Sequence, residues 1–187
     1  MPGAKQFIYD AITVAYIVIA ISIFLPWALL SIAPENGLFL GITDFLHWFY
    51  SFLCHQLPFR TIYFNGIKMP VCARDLSIYV ATALGLVYFR LKGFGEKEFK
   101  INYVLVVLLF LPTALDGFTQ LFGWRESTNL LRLVTGFPYG VGYAYLIAWV
   151  LPFIFLLASL IGALLTGKDA ESDELIARVK KMLWPPL

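Results

Sequence analysis

The chain has 187 residues, 60% of them hydrophobic and 14% charged, with a mean hydropathy of +0.78, against roughly one-quarter charged content in soluble domains. A formal charge of +2 excludes a polybasic nucleic-acid binder and an acidic tail protein. Two cysteines and two histidines exclude a zinc finger, an iron–sulfur cluster, a disulfide-dense scaffold and any three-histidine metal site. What remains is an all-α integral membrane protein. At about 20 apolar residues per crossing, residues 1–167 predict one transmembrane domain of four spans, and residues 168–187 a cytoplasmic amphipathic tail.

In chain order, the uncharged run Ala11–Pro34 is span one, with Pro26-Trp27 near its far end where an aromatic anchor sits. Ser31-Ile32-Ala33 imitates a signal-peptidase site, but the run is far longer than a secretory h-region, so an uncleaved helix is expected. Residues 36–56 are apolar but interrupted by Asp44 and His47, so an amphipathic, re-entrant or spanning helix over about 38–56 fits. Asn65-Gly66 is the preferred pair of a type I′ turn and predicts a short β-hairpin over 61–70. Cys72–Arg90 is span two, ending in a charged, glycine-containing turn to Lys100. Ile101–Gly123 is span three, interrupted by Pro112 and Asp116. A short helix over 126–135 follows, with Ser127 as N-cap and Gly136 as stop. Span four lies in the uncharged run Leu133–Gly167, shaped by Pro138 and Pro152. In the tail, Leu175, Ile176, Val179, Met182 and Leu183 share one face, opposite Arg178, Lys180 and Lys181, as in a helix lying on a membrane surface.

Four spans with 36–56 on the outer side put nine Lys and Arg inside and five outside, so both termini are expected in the cytoplasm. Making 36–56 a full span weakens or reverses that bias. Under the four-span topology the polar residues of interest gather outside, and four of the five outer basic residues are Arg, the better fork for phosphate or carboxylate.

Asp116 lies seven residues before Gly123, about 10 Å below the end of its helix. So deep a carboxylate needs a partner or a wet cavity. It is therefore a candidate general base or metal ligand, or the partner of Arg74 or Arg125 in a structural lock. Gln120 shares its face. Asp44, His47 and His55 fall at i, i+3 and i+11, so one helix would align them as a divalent-metal set, with Asp116 or a cysteine completing it. Water-facing residues on an interfacial aromatic helix would give the same spacing. Cys54 and Cys72 suit a disulfide, a thiolate metal ligand or free thiols. In plain hairpin register Cys72 faces Phe59, so a disulfide requires the chain to bend back. Arg125, Asn129 and Arg132 recur at i, i+4 and i+7, and with Arg74 and Gln120 they form a candidate anion site or a set of arginines holding lipid headgroups. His55 and Glu126 are further acid–base candidates.

The ordered set Cys54-His55-Gln56, Pro58, Arg60, Cys72-Ala73-Arg74-Asp75, Asp116-Gly117-x-Thr119-Gln120, Arg125-Glu126-Ser127-Thr128-Asn129-x-x-Arg132 and Thr135-Gly136 resembles a widespread family of small prokaryotic membrane proteins classed as a domain of unknown function. The resemblance covers roughly residues 45–145. It implies a polytopic membrane protein with a polar signature, and no substrate. The chain is also similar to ceramidase-like membrane hydrolases in gathering His, Asp and Ser in a bundle, but it lacks their third histidine.

Three functions follow. The first is an enzyme acting at the outer leaflet on a phosphorylated lipid or polyprenyl carrier, with Arg74, Arg125 and Arg132 clamping phosphate, Asp116 or Glu126 as base or metal ligand, and His55 as acid or ligand. The second is a non-catalytic membrane subunit or assembly factor whose outer polar cluster is structural. The third is a small anion or metal-ion carrier, which would need a polar path through an inner half that reads apolar. Membrane lipid is the expected partner in each.

Overall fold

The computed structural model describes residues 2–93 and 97–183, which form seven α-helices and one β-hairpin. The helices are α1 (Pro2–Ser22), α2 (Leu25–Ile32), α3 (Gly37–Ser51), α4 (Ala73–Leu91), α5 (Tyr103–Leu121), α6 (Asn129–Leu165) and α7 (Asp169–Leu183); β1 (Thr61–Phe64) and β2 (Ile67–Cys72) lie between α3 and α4. Of the sequence expectations, part of the 90–100 turn (94–96) and the last four residues of the tail (184–187) lie outside the described residues.

Among the described residues, three helices are long and apolar enough to cross a membrane: Gly3–Ser22, Tyr103–Leu121 and Asn129–Leu165. The helix expected as span two, α4, matches α5 at 19 residues but is less apolar and far more buried. It buries Ala73, Ser77, Ala81, Thr82, Ala83 and Gly85 as well as Leu76 and Leu86. Small side chains let backbones approach, and that close packing replaces bulk hydrophobicity. The partner is α6. A Cβ on Gly136 would lie 2.2 Å from Ser77 Oγ, and one on Gly140 2.5 Å from the Ile78 carbonyl oxygen. Neither position has room for a side chain.

This packing corrects the expected separate helix over 126–135. Residues 126–128 are irregular, Thr128 caps the helix by accepting from the Leu131 N–H at 3.2 Å, and the helix then runs 37 residues through Gly136. Gly136 is there for contact with α4, and it stops nothing. The run expected as span one is likewise divided. Lys5 and Asp10 lie inside α1, which ends at Ser22, and Pro26 opens α2 as one of its first two residues. At the break the Ile19 carbonyl accepts from Ser22 Oγ at 2.9 Å and from the Tyr50 hydroxyl at 3.1 Å, so the interrupted backbone stays hydrogen-bonded.

α3 is amphipathic and shorter than the expected 38–56. Asn36 caps it through the N–H groups of Leu38 and Phe39. It buries Thr43, Leu46 and Tyr50 and exposes Phe45, Trp48 and Phe49. Its 15 residues rise about 22 Å, less than the roughly 30 Å hydrocarbon core. Its buried face joins Ile23, Met69, Val71 and Leu76 in one cluster beneath the hairpin. Asn65 (φ 49°) and Gly66 (φ 79°) both take the left-handed conformation that a type I′ turn demands. Tyr63 pairs with Lys68, but an irregularity then sets Cys72 opposite Thr61 instead of Phe59.

At the opposite end of the bundle, Arg90 binds Asp10 at 2.6 Å. There α7 lays Leu175 and Met182 against Leu156, Ala163 and Ile101, and its Arg178 pairs with Glu98. The apolar face of the tail is thus occupied in part by the bundle, where the sequence suggested a membrane surface.

Candidate functional site

The polar residues converge at the hairpin end, where the C-terminus of α5, the N-termini of α4 and α6, and the loop after α3 meet. Asp116, one and a half turns from the end of α5, is 1% exposed. Its Oδ2 accepts from Arg74 Nη2 and, at 3.0 Å, from Ser127 Oγ, while its Oδ1 accepts from Arg125 Nη2 at 2.7 Å. Each donor has a structural cause. Arg74 sits in the first turn of α4, whose position against α6 is fixed by the glycine seam. Gly123 (φ 70°) turns the chain after α5, and the Trp124 N–H closes onto the Thr119 carbonyl at 3.0 Å, so Arg125 and Ser127 return toward the carboxylate. Ser127 is a ligand of Asp116 and not the expected helix cap.

Beyond Asp116 lies an excess of positive charge. Arg132, 2% exposed, donates to Asn129 Oδ1 at 2.9 Å, and Asn129 in turn donates to the Thr61 carbonyl at 3.3 Å, which ties α6 to the hairpin. Arg60 and Arg74 are the cationic neighbours of Arg132. The Nε atoms of Arg60, Arg74 and Arg132 are buried without a hydrogen-bond partner. Arg60 and Arg74 line a cavity of ≈ 260 Å³ together with Cys54, His55, Cys72 and Asp75, among others. Four guanidiniums thus face two carboxylates, Asp75 and Asp116.

The cysteines also meet here. The chain after α3 folds back so that the Cys72 N–H points to Cys54 Sγ at 3.2 Å, and Cys72 Sγ donates to Asp75 Oδ2 at 3.2 Å. Both are free thiols. Hydrogen bonding from Cys72 holds the Cys54 thiol below its ordinary range. The same interaction with Cys54, then burial and the Asp75 charge, pushes Cys72 up.

Other sequence candidates lie apart. The set Asp44, His47, His55 and Asp116 does not assemble, because α3 ends before His55 and breaks the expected stripe. Asp44 and His55 are exposed, and His47 exchanges hydrogen bonds with Gln56: its Nδ1 lies 3.3 Å from Gln56 Oε1, and Gln56 Nε2 donates to the His47 carbonyl at 2.6 Å. Glu126 is exposed, and Gln120 is half-buried one turn beyond Asp116. Among the described residues, the group of three or more ligating side chains brought together is Cys54, Cys72 and Asp75. Asp75 was not among the sequence candidates, although its place three residues after Cys72, at the start of a helix, is a readable signal. The role of Ser127 has no sequence signal at all.

The family model described as a predicted membrane protein (DUF2085) matches residues 54–146. The uncharacterized protein MJ1492 of Methanocaldococcus jannaschii is 34% identical over 150 residues, covering 79% of this chain and 92% of that protein. The chain belongs to the DUF2085 family. An uncharacterized protein of Methanothermobacter thermautotrophicus is similar too, 42% identical over 97 residues, or 52% of this chain and 86% of the relative. No solved structure matches. The DUF2085 segment begins at Cys54 and holds the whole cluster, from the two cysteines through Asp116 to Arg132, while Asp44 and His47 fall before it.

Proposed function

We propose that this DUF2085 protein crosses the membrane four times, through α1, α4, α5 and α6, with both termini cytoplasmic, and that its outward hairpin end binds the phosphorylated headgroup of a lipid or polyprenyl carrier. The observation that carries the reading is the pair of buried, unpartnered Nε atoms on Arg60 and Arg74, which line an open cavity, with the buried unpartnered Nε of Arg132 among their cationic neighbours. A buried donor without an acceptor is costly, and phosphate oxygens are the acceptors that a guanidinium fork fits best. Asp116 already accepts from three donors, which supports a positioning role for it. For proton transfer to a bound phosphate ester, the exposed His55 on the cavity wall is the better placed group.

The test is binding of farnesyl phosphate, farnesol and inorganic phosphate to the detergent-purified protein. Farnesyl phosphate should bind, farnesol should not, and Arg60→Gln or Arg132→Gln should each weaken binding about tenfold, the factor that corresponds to ~1.4 kcal/mol. Inorganic phosphate binding as well as the ester would mark a free-phosphate site. No preference for the phosphorylated compounds would refute the proposal.

A second reading, a non-catalytic subunit with a structural polar cap, is favoured by the closed arrangement around Asp116. It predicts that the Arg60 and Arg132 variants change stability and leave headgroup binding absent throughout.

A further inference from the structure

We infer that Cys54, Cys72 and Asp75 bind a single thiophilic divalent cation of the Zn²⁺ class, with a fourth position open to the neighbouring cavity. The inference stands independently of the phosphate reading, since the three ligands would hold a cation whatever the arginines bind.

The three ligand atoms lie within 4.8 Å of one another, and Cys72 Sγ is already 3.2 Å from Asp75 Oδ2. With bonds of about 2.3 Å to sulfur and 2.0–2.2 Å to oxygen, a tetrahedral centre sets its ligands roughly 3.5–3.8 Å apart. Only small side-chain movements therefore separate this geometry from a ligated one. Two soft thiolates and one carboxylate match Zn²⁺ better than Mg²⁺ or Ca²⁺, which take oxygen ligands. The Cys72 N–H directed at Cys54 Sγ is a further fit, because such a bond orients and stabilises a ligating thiolate.

Fold and charge point the same way. The ligands come from the loop after α3, the last residue of β2 and the first turn of α4, so a cation would tie the hairpin to the bundle. The end of α3 at Ser51 leaves Cys54 in the loop that meets the start of α4, where the Cys72 N–H reaches its sulfur. Two thiolates, a carboxylate and a dication leave a net charge of −1, beside the guanidiniums of Arg60 and Arg74 that line the same cavity. A disulfide would engage the two sulfurs alone and remove the thiol hydrogen bond to Asp75.

The experiment uses the full chain purified in detergent with reductant and without chelator. Metal content is measured by plasma mass spectrometry, and the metal-stripped protein is titrated with Co²⁺. We expect about one Zn²⁺ per chain, and on cobalt substitution thiolate-to-metal charge transfer with the intense visible bands of a tetrahedral centre. Cys54→Ser and Cys72→Ser should abolish these bands. Asp75→Asn should weaken Co²⁺ beyond the roughly 10–100-fold that loss of a ligand's supporting hydrogen bond costs. His55→Ala should keep the bands, because the fourth position belongs to solvent or ligand. The wild-type titration is decisive even where a variant does not fold. Two titratable thiols with no cobalt–thiolate absorption would overturn the inference, as would a disulfide that takes up no metal after reduction.

Discussion

Removing the charge of Asp116 separates its structural role from a chemical one. In Asp116→Asn the Arg74 guanidinium, whose side chain is 22% exposed, loses its buried anion, as does Arg125 at 40%. Breaking a buried pair by removing one partner costs about 3–5 kcal/mol. Arg125 is open enough that its share falls to the surface value of about 0–1 kcal/mol, and the asparagine oxygen still accepts one hydrogen bond, so the lower end, about 3 kcal/mol, is expected. For a chain of this length that lowers Tm by roughly 6–12 °C. Thermal unfolding in detergent, followed by near-ultraviolet circular dichroism, reads it directly. Arg74→Gln combined with Asp116→Asn should recover part of the loss, since the stranded charge is then gone. The electrostatics run the other way for ligand, because neutralising Asp116 leaves the four arginines less compensated and farnesyl phosphate should bind more tightly. Near-native stability together with lost headgroup binding would refute the positioning role and make Asp116 part of the ligand site.

Other perturbations probe the frame around the site. Gly140→Ala places a methyl 2.5 Å from a backbone oxygen and 2.7 Å from Ala81 Cβ; neither can swing away, so overpacking should cost about 1–3 kcal/mol. Gly162→Ala, with nothing within 4 Å of its new methyl, should be neutral in the same unfolding assay. In the reduced, metal-stripped protein the depressed Cys54 pKa puts its thiolate on at lower pH than that of an ordinary cysteine, while the raised Cys72 pKa keeps that thiol protonated. A small methanethiosulfonate reagent should thus label Cys54 at lower pH than Cys72, and peptide mapping distinguishes them. Ser127→Ala removes one of three donors to Asp116 and should destabilise by about 1–2 kcal/mol, near the typical worth of one hydrogen bond.

The apolar runs that become α5 and most of α6 were readable because a membrane imposes one rule on them, a long and nearly charge-free stretch, whereas the run read as span one divides between α1 and α2. The Asn65-Gly66 turn and the amphipathic character of α3 and α7 were readable for the same reason: each follows from local conformation or periodicity alone. What escaped depends on contacts distant in sequence. Ser127 has the form of a helix cap, yet its hydroxyl goes to a carboxylate eleven residues earlier. Gly136 has the form of a helix stop, yet it is the place where α6 touches α4. The small residues of α4 had no sequence reading of their own, since their role is the close contact with α6.

The cysteine pair depends on where the helix before it ends. In ideal register the hairpin places Cys72 beside Phe59, five residues from Cys54, where neither a disulfide nor a shared ligand is reachable. The slip between Thr61 and Tyr63 moves Cys72 opposite Thr61, and the end of α3 at Ser51 frees residues 52–57 to fold back. With Cys54 released from the helix, the two sulfurs and Asp75 meet at one point beside the arginine-lined cavity. Lengthening α3 through Cys54 with helix-favouring substitutions at Phe52 and Leu53 should therefore abolish cobalt binding while leaving the Asp116 cluster, and the stability it confers, intact.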